Sequence, residues 1–244
     1  VSVDSKTIST GTGSSDITLG AVAATNITGL GGVDTVTFDG VTAYTGAIAL
    51  ADGANVINLV SGSNIGGATV TVSGTGTINF NIASGASVTM NDATHDLLVA
   101  GSLTAGGTET IVLSDAATIT ADALIENYTL GNFTNSVTLS ATGQSVTGGA
   151  GVDTVSVAGL TLSSGSTLNL GDDANDVLIA TNGADLSAAT ISNTEILNMG
   201  TVTEAATVTM TEAQYDGFTT ISANAGDDTI TIAAGDIVSI TTDA

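Results

Sequence analysis

Apolar residues fall at every second position through Val70–Ile82, and again in Thr154–Val157, Thr207–Met210 and Thr229–Ile232. That is the period of a strand with one buried face. Threonine at the intervening positions suits the outer face, being β-branched yet soluble. Clusters rich in Gly, Ser, Thr, Asn and Asp separate the runs at Ser9–Asp16, Ser61–Gly67, Thr147–Gly151 and Asn224–Asp228. Turns at this spacing predict an all-β chain. Only 3% of the residues are aromatic and none is Trp, so any core is built from thin layers of small branched side chains.

The pattern is duplicated. The string Gly32–Val36 returns as Gly151–Val155, an offset of 151 − 32 = 119. Val88–Asp96 returns as Val208–Asp216 (208 − 88 = 120), and Thr108–Ala116 as Asp227–Gly235 (227 − 108 = 119). Asp16–Leu19 matches Ser136–Leu139, and the tail Asp236–Ala244 echoes Asp115–Ala123. The chain thus reads as repeat unit 1 (1–119), repeat unit 2 (120–239) and the start of a third (240–244). Repetition on this scale marks modular arrays that serve length, surface or assembly. Two all-β architectures fit: a parallel β-solenoid, and tandem β-sandwich domains. Sparse aromatics, the lack of a linker between copies and the scarcity of hairpin dipeptides favour the solenoid. Two short helices are expected, at Ala184–Thr190 and Thr211–Phe218, the second with Thr211 as N-cap.

Charge narrows the partners. There are 24 acidic residues and a single cation, Lys6, for a net charge of −23. Nucleic acid needs the opposite sign, and an anionic membrane surface repels such a chain. A divalent cation, a basic partner or a salty medium remain. No apolar run approaches the ~20 residues of a membrane helix, so no membrane insertion is expected. The sequence opens at Val1 with no basic-then-apolar leader, which predicts an excerpt or a processed product. There is no cysteine for a disulfide or thiolate site.

The acids gather at glycine corners. Gly148–Ser156 matches the calcium nonapeptide G-G-x-G-x-D-x-U-x in full. Gly29–Thr37, Ala105–Leu113 and Ala223–Thr231 match in part, and Gly171–Leu178 concentrates three aspartates. Calcium takes six to eight oxygens at about 2.3–2.6 Å; glycines let carbonyls turn inward and an aspartate closes the shell. The candidate ligands are Asp34, Asp153 with Gly149 and Gly151, Asp172, Asp173, Asp176, Asp227, Asp228 and Glu109. Each has a metal-free alternative as an Asx or glycine turn.

With these corners, and with the segments Ile191–Gly200 and Leu124–Asn132, the chain resembles the RTX-type calcium-binding proteins of Gram-negative bacteria, and among them type I-secreted S-layer proteins of the Caulobacter kind. The resemblance implies bound Ca2+, a β-solenoid, an extracellular cell-surface location and self-assembly into a lattice or fibre. One departure stands out. The anchors at 34, 109, 153 and 228 lie 75, 44 and 75 residues apart (109 − 34, 153 − 109, 228 − 153), whereas RTX rolls carry the nonapeptide in immediate tandem. Isolated corners, or sites completed by a neighbouring coil or subunit, are expected instead.

The lone histidine, His95, has Tyr215 as its repeat partner, which predicts a half-exposed packing position rather than a ligand. Paired threonines at Thr69/Thr71, Thr75/Thr77, Thr207/Thr209 and Thr229/Thr231 have the look of an ice-binding face, or simply of a soluble strand. With no Cys, Arg or Trp, no enzyme is expected. The leading expectation is a calcium-dependent secreted structural protein that assembles with itself, with a cell-surface polysaccharide as a further partner. The alternative is an extender or ligand- or ice-binding segment of a large RTX adhesin.

Overall fold

The computed structural model describes residues 6–20, 25–40, 43–100, 102–200, 205–223, 226–233 and 237–241. Asn224 of one turn cluster, and Asp236 and 242–244 of the tail, lie outside them, as does the side chain of Lys6. The chain divides into two compact units, Val1–Asp115 and Ala116–Ala244.

In the first unit the strands are β1 (Lys6–Ser9), β2 (Ser15–Leu19), β3 (Thr25–Thr28), β4 (Asp34–Phe38), β5 (Ala47–Leu50), β6 (Ala54–Leu59), β7 (Thr69–Val72), β8 (Thr77–Ile82) and β9 (Ser87–Met90). Helix α1 (Asp92–Ala100), β10 (Ser102–Thr104) and β11 (Thr110–Leu113) follow. Strands pair with the next but one: β1-β3-β5-β7 form one parallel sheet and β2-β4-β6-β8-β10 another. Each coil therefore lays one strand on each of two faces, which is a parallel β-solenoid. The sandwich alternative, which needs antiparallel hairpins, does not describe it.

Alternation sets what lies inside. Leu19, Phe38, Leu59 and Ile82 stack in register through consecutive coils, and all four are buried. Tyr44 meets Phe38 edge-to-face, with ring centroids 5.2 Å apart, and its hydroxyl donates to the Thr25 carbonyl. Outward positions carry polar columns: Asn58 Nδ2 donates to Thr37 Oγ1 and Asn81 Nδ2 to Asn58 Oδ1, both at 3.0 Å.

The second unit repeats the plan with β12 (Thr118–Thr120), β13 (Asn127–Thr129), β14 (Asn135–Thr138), β15 (Ser145–Thr147), β16 (Asp153–Ala158), β17 (Thr167–Asn169), β18 (Val177–Ala180), β19 (Thr190–Ser192) and β20 (Ile196–Asn198). These are followed by β21 (Thr207–Met210), α2 (Glu212–Gly217), β22 (Thr220–Ser222), β23 (Asp227–Ile232) and β24 (Ile237–Thr241). One parallel sheet runs β12-β14-β16-β18-β20-β22, with Val137, Val155, Leu178 and Leu197 stacked inside it. Coil length varies from 18 residues (Thr118 to its partner Ser136) to 24 (Ile196 to Thr220); corners absorb most of the difference, and a bulge between Ser156 and Ala158 shifts the register of β16 against β18.

Several local expectations change. The run Val70–Ile82 is two strands, β7 and β8, because Gly74 turns with φ 67° between them. Ala184–Thr190 is turn and bridge rather than helix: Asp185 bridges Thr161 and Thr209, and its side chain holds Ser187. The helix α2 forms with Thr211 as its N-cap. Helix α1, its repeat equivalent, extends to Ala100 and packs on β7, β8 and β10. That longer helix explains why His95 is fully buried rather than half-exposed.

Candidate functional site

Asp34 and Asp153 open equivalent strands, β4 and β16. Alternation makes the opening residue of each an inward one, and both aspartates are fully buried. Their neighbours in the next coil, Asn55 and Asp176, are fully buried too. The acids of the corner are thereby lifted off the surface into a column along the inside edge of each unit's sheet.

The hydrogen bonds of this column follow one rule. The backbone N–H of a strand's first residue, or of the residue just before it, donates to the inward side chain of the following coil. Ala117 N–H donates to Asn135 Oδ1 (3.1 Å), Asp153 N–H to Asp176 Oδ1 (2.7 Å) and Asp176 N–H to Glu195 Oε2 (3.4 Å). In the first unit Asp34 N–H donates to Asn55 Oδ1 (3.0 Å), and near the end of the second Ala206 N–H donates to Asp228 Oδ1 (2.8 Å).

Where the side chain is Asn, its amide nitrogen closes the loop. Asn55 Nδ2 donates to the carbonyls of Ala51 and Gly53, and Asn135 Nδ2 to those of Gly131 and Phe133. Asn135 Nδ2 also lies 2.8 Å from Asp153 Oδ1, and Gly149 N–H donates to Asp153 Oδ2 (3.1 Å). Asp176 has the same place in the column but no amide. Its Oδ1 takes the Asp153 N–H, and its buried Oδ2 meets no donor. Asp34 Oδ1 is likewise buried without a partner, while its Oδ2 accepts from Thr10 Oγ1 at 3.3 Å.

Electrostatics concentrate on the second unit. Burial, first of all, pushes the Asp176 carboxyl up to about 6, and the charges of Asp153, Glu195 and Asp173 add to the shift against the bond from Asp153 N–H. Asp153 is raised in the same way, mainly by burial, with bonds from Asn135 and Gly149 opposing and Asp173 adding. Asp153, Asp173, Asp176 and Glu195 thus form one group of interacting acids. The corresponding column of the first unit, Ser15–Asp34–Asn55, carries only one.

The remaining candidates are placed as follows. Asp173 Oδ1 accepts from Asn175 N–H at 3.0 Å in a local Asx turn, and Asp172 is exposed. Asp227 is exposed while Asp228 is buried. Glu109 is fully buried, and its Oε1 accepts from Gly85 and Gly106 N–H at 3.2 and 3.3 Å. A Cβ on Gly149 would stand 2.6 Å from the Gly131 carbonyl oxygen, and one on Gly151 2.3 Å from that of Phe133. The glycines of the nonapeptide therefore serve close approach of successive coils. Glu195 belongs to the column without having been a candidate ligand. Its position just before the inward–outward run of β20 is the signal that marks it.

As a cation site the column fits in one respect and is incomplete in another. In the second unit it offers carboxylate oxygens, the preference of calcium, and one of them, the buried Asp176 Oδ2, has no partner. Yet among the described residues no three Asp, Glu or His side chains come together as ion ligands. An ion here would draw the rest of its shell from backbone carbonyls or water. Compared with protein family models, with curated proteins and with solved structures, the chain matches none.

Proposed function

We propose that this chain is a calcium-responsive structural β-solenoid, secreted and displayed at a cell surface, where it assembles with further copies of itself. The observation that carries the reading is the column Asp153–Asp176–Glu195, with an unpartnered buried oxygen on Asp176, in a chain of net charge −23. Buried carboxylates without a counter-charge are costly, and there are two ways to relieve the cost. One is a proton on Asp176. The other is a cation drawn to the free Asp176 oxygen, completing its shell from backbone carbonyls or water, within the field of Asp153, Glu195 and Asp173. Outside cells, where calcium is abundant, the cation prevails. A site with Kd ~10⁻⁴ M in ~10 mM calcium stabilises the fold by about 2.7 kcal/mol. This is the role the RTX resemblance implies, concentrated in the second unit rather than repeated in every coil.

The alternative of an ice-binding face draws little support. Outward amides and hydroxyls such as Thr37, Asn58 and Asn81 bond to one another, and Thr75 is turned to Asp52 Oδ1 through both its N–H and its hydroxyl.

The test is circular dichroism with light scattering, titrating calcium and then EGTA at constant ionic strength. The reading predicts a reversible gain in thermal stability and growth of particles with calcium. An unchanged melting temperature and particle size across the titration would remove calcium from the mechanism.

A further inference from the structure

Asn182–Gly183 is the single Asn-Gly pair of the chain. Such a pair can react with itself, the glycine nitrogen attacking the side-chain carbonyl carbon of the asparagine, because glycine has no Cβ to shield that nitrogen. Both residues are exposed here. Gly183 turns with φ 90°, and a Cβ placed on it would meet nothing within 4 Å. Water and base therefore reach the pair.

The duplication separates what the turn needs from what the second copy adds. Its equivalent in the first unit is Ser61–Gly62 (182 − 61 = 121), where Gly62 has φ 85°. The two turns make the same backbone bonds to the next coil. Gly62 N–H donates to the Ser87 carbonyl, Thr89 N–H to that of Ser63 and Ile65 N–H to that of Thr89 (2.9, 2.9 and 2.8 Å). Gly183 N–H donates to the Thr207 carbonyl, Thr209 N–H to that of Ala184 and Leu186 N–H to that of Thr209 (2.9, 2.8 and 2.8 Å). The turn thus forms without an asparagine. What Asn182 brings is one more bond, its Oδ1 accepting from Thr207 N–H at 3.0 Å. Thr207, the first residue of β21, therefore holds both reacting groups. Its N–H fixes the amide to be attacked, and its carbonyl holds the proton that the attacking nitrogen must lose.

From this we infer that Asn182 is a deamidation site gated by β21, which reacts only when Thr207 lets go. Base takes the Gly183 N–H proton, the nitrogen bonds to Asn182 Cγ, and ammonia leaves a five-membered succinimide. Water then opens the ring at either carbonyl to give aspartate or isoaspartate, with no other reactant. Aspartate restores the acceptor for Thr207 N–H. Isoaspartate puts an extra atom into the backbone before Gly183 and draws its N–H away from the Thr207 carbonyl. The reaction is a one-way release of β21 from this turn, and Ser61 gives the first unit no counterpart.

The test incubates the full chain at mildly alkaline pH and follows residue 182 by peptide-mapping mass spectrometry, with aspartate and isoaspartate peptides separated by chromatography. In the folded chain, conversion should run at least about tenfold slower than in the same chain unfolded in urea, because it waits for a local opening. Val208→Ala, which thins the buried side of β21, should speed conversion in protein that circular dichroism shows to be folded. Chains carrying isoaspartate should lose hydrogen-exchange protection at the Thr207 and Thr209 amides, while Asn182→Asp keeps it. Equal rates with and without urea, or an unchanged rate in folded Val208→Ala, would overturn the gate. No conversion even in urea would overturn the site, and equal protection in the isoaspartate and Asn182→Asp chains would overturn the release. Should Val208→Ala fail to fold, the wild-type comparison in urea decides the gate alone.

Discussion

At the scale of single residues, Asn and Asp are nearly interchangeable in shape but opposite in what they offer the loop behind them. Asn55 and Asn135 use both ends of the amide; Asp176 uses one oxygen and strands the other. Asp176→Asn should therefore stabilise the calcium-free chain at pH 7.5 by about 1–3 kcal/mol in urea unfolding, the cost of an unsatisfied buried group. The pH dependence has a definite sign. The folded-state value of Asp176 (about 6) lies above the ordinary 3.8, so the folded chain binds the proton more tightly than the unfolded one. Stability without calcium should then fall as pH rises from about 4 through about 6, and Asp176→Asn should flatten that slope. Asp153, shifted in the same direction, leaves a smaller residual slope. The glycines give a sharper contrast. Gly171 and Gly165 share φ 108°, but a Cβ on Gly171 would lie 1.8 Å from the Gly149 carbonyl oxygen, while one on Gly165 meets nothing within 4 Å. Gly165→Ala should cost the backbone strain alone, about 1–3 kcal/mol, and Gly171→Ala clearly more, measured as a difference in melting temperature.

At the scale of elements, one device recurs at the corners: a side-chain amide that latches the chain to an adjacent loop. Asn91 caps α1 by accepting from Thr94 N–H, and its Nδ2 donates to the Gly66 and Ala68 carbonyls. In α2 the task is divided, with Thr211 capping and Gln214 Nε2 reaching the Leu186 and Ala189 carbonyls at 2.8 Å. Gln144 does the same without any helix, donating to the Asp122 and Ile125 carbonyls. Thr211→Ala should cost about 1 kcal/mol, as an N-cap does. Gln214→Ala should cost more, because it removes the acceptor of Thr211 N–H together with the shared donor to the Leu186 and Ala189 carbonyls, of which Leu186 keeps the Ala189 N–H; a double-mutant cycle on melting temperatures separates the two contributions. The strands were legible from alternation, since inward and outward parity follows from the period of two. The aspartates Asp34 and Asp153 stood at an inward parity and could be located in the same way. The helix α1 was not anticipated, although its copy α2 was, because Asn91 and Asp92 read as turn residues when the amide latch is out of view. Tertiary bonds of that sort leave no local periodicity. The column partner Glu195 was missed for a related reason, since only strand register brings it beside Asp176.

At the scale of the whole molecule, a chain with one cation cannot neutralise its acids internally, and general repulsion opposes folding everywhere at once. Two effects of added ions are then superposed. Screening by monovalent salt shortens the Debye length from about 30 Å at 0.01 M to about 3 Å at 1 M and relieves repulsion among exposed acids such as Asp172 and Asp227. It acts much less on the buried column, which needs a proton or an ion in contact. Sodium chloride should thus raise the melting temperature steadily, in the wild type and in Asp176→Asn alike. Calcium at matched ionic strength should add a further, saturable increase in the wild type alone. The variant keeps the net charge almost unchanged, at −22 against −23 (−23 + 1), so a difference between the two proteins in calcium cannot come from screening. Equal calcium responses in both would place the effect on the surface acids and strip the buried column of its part in it.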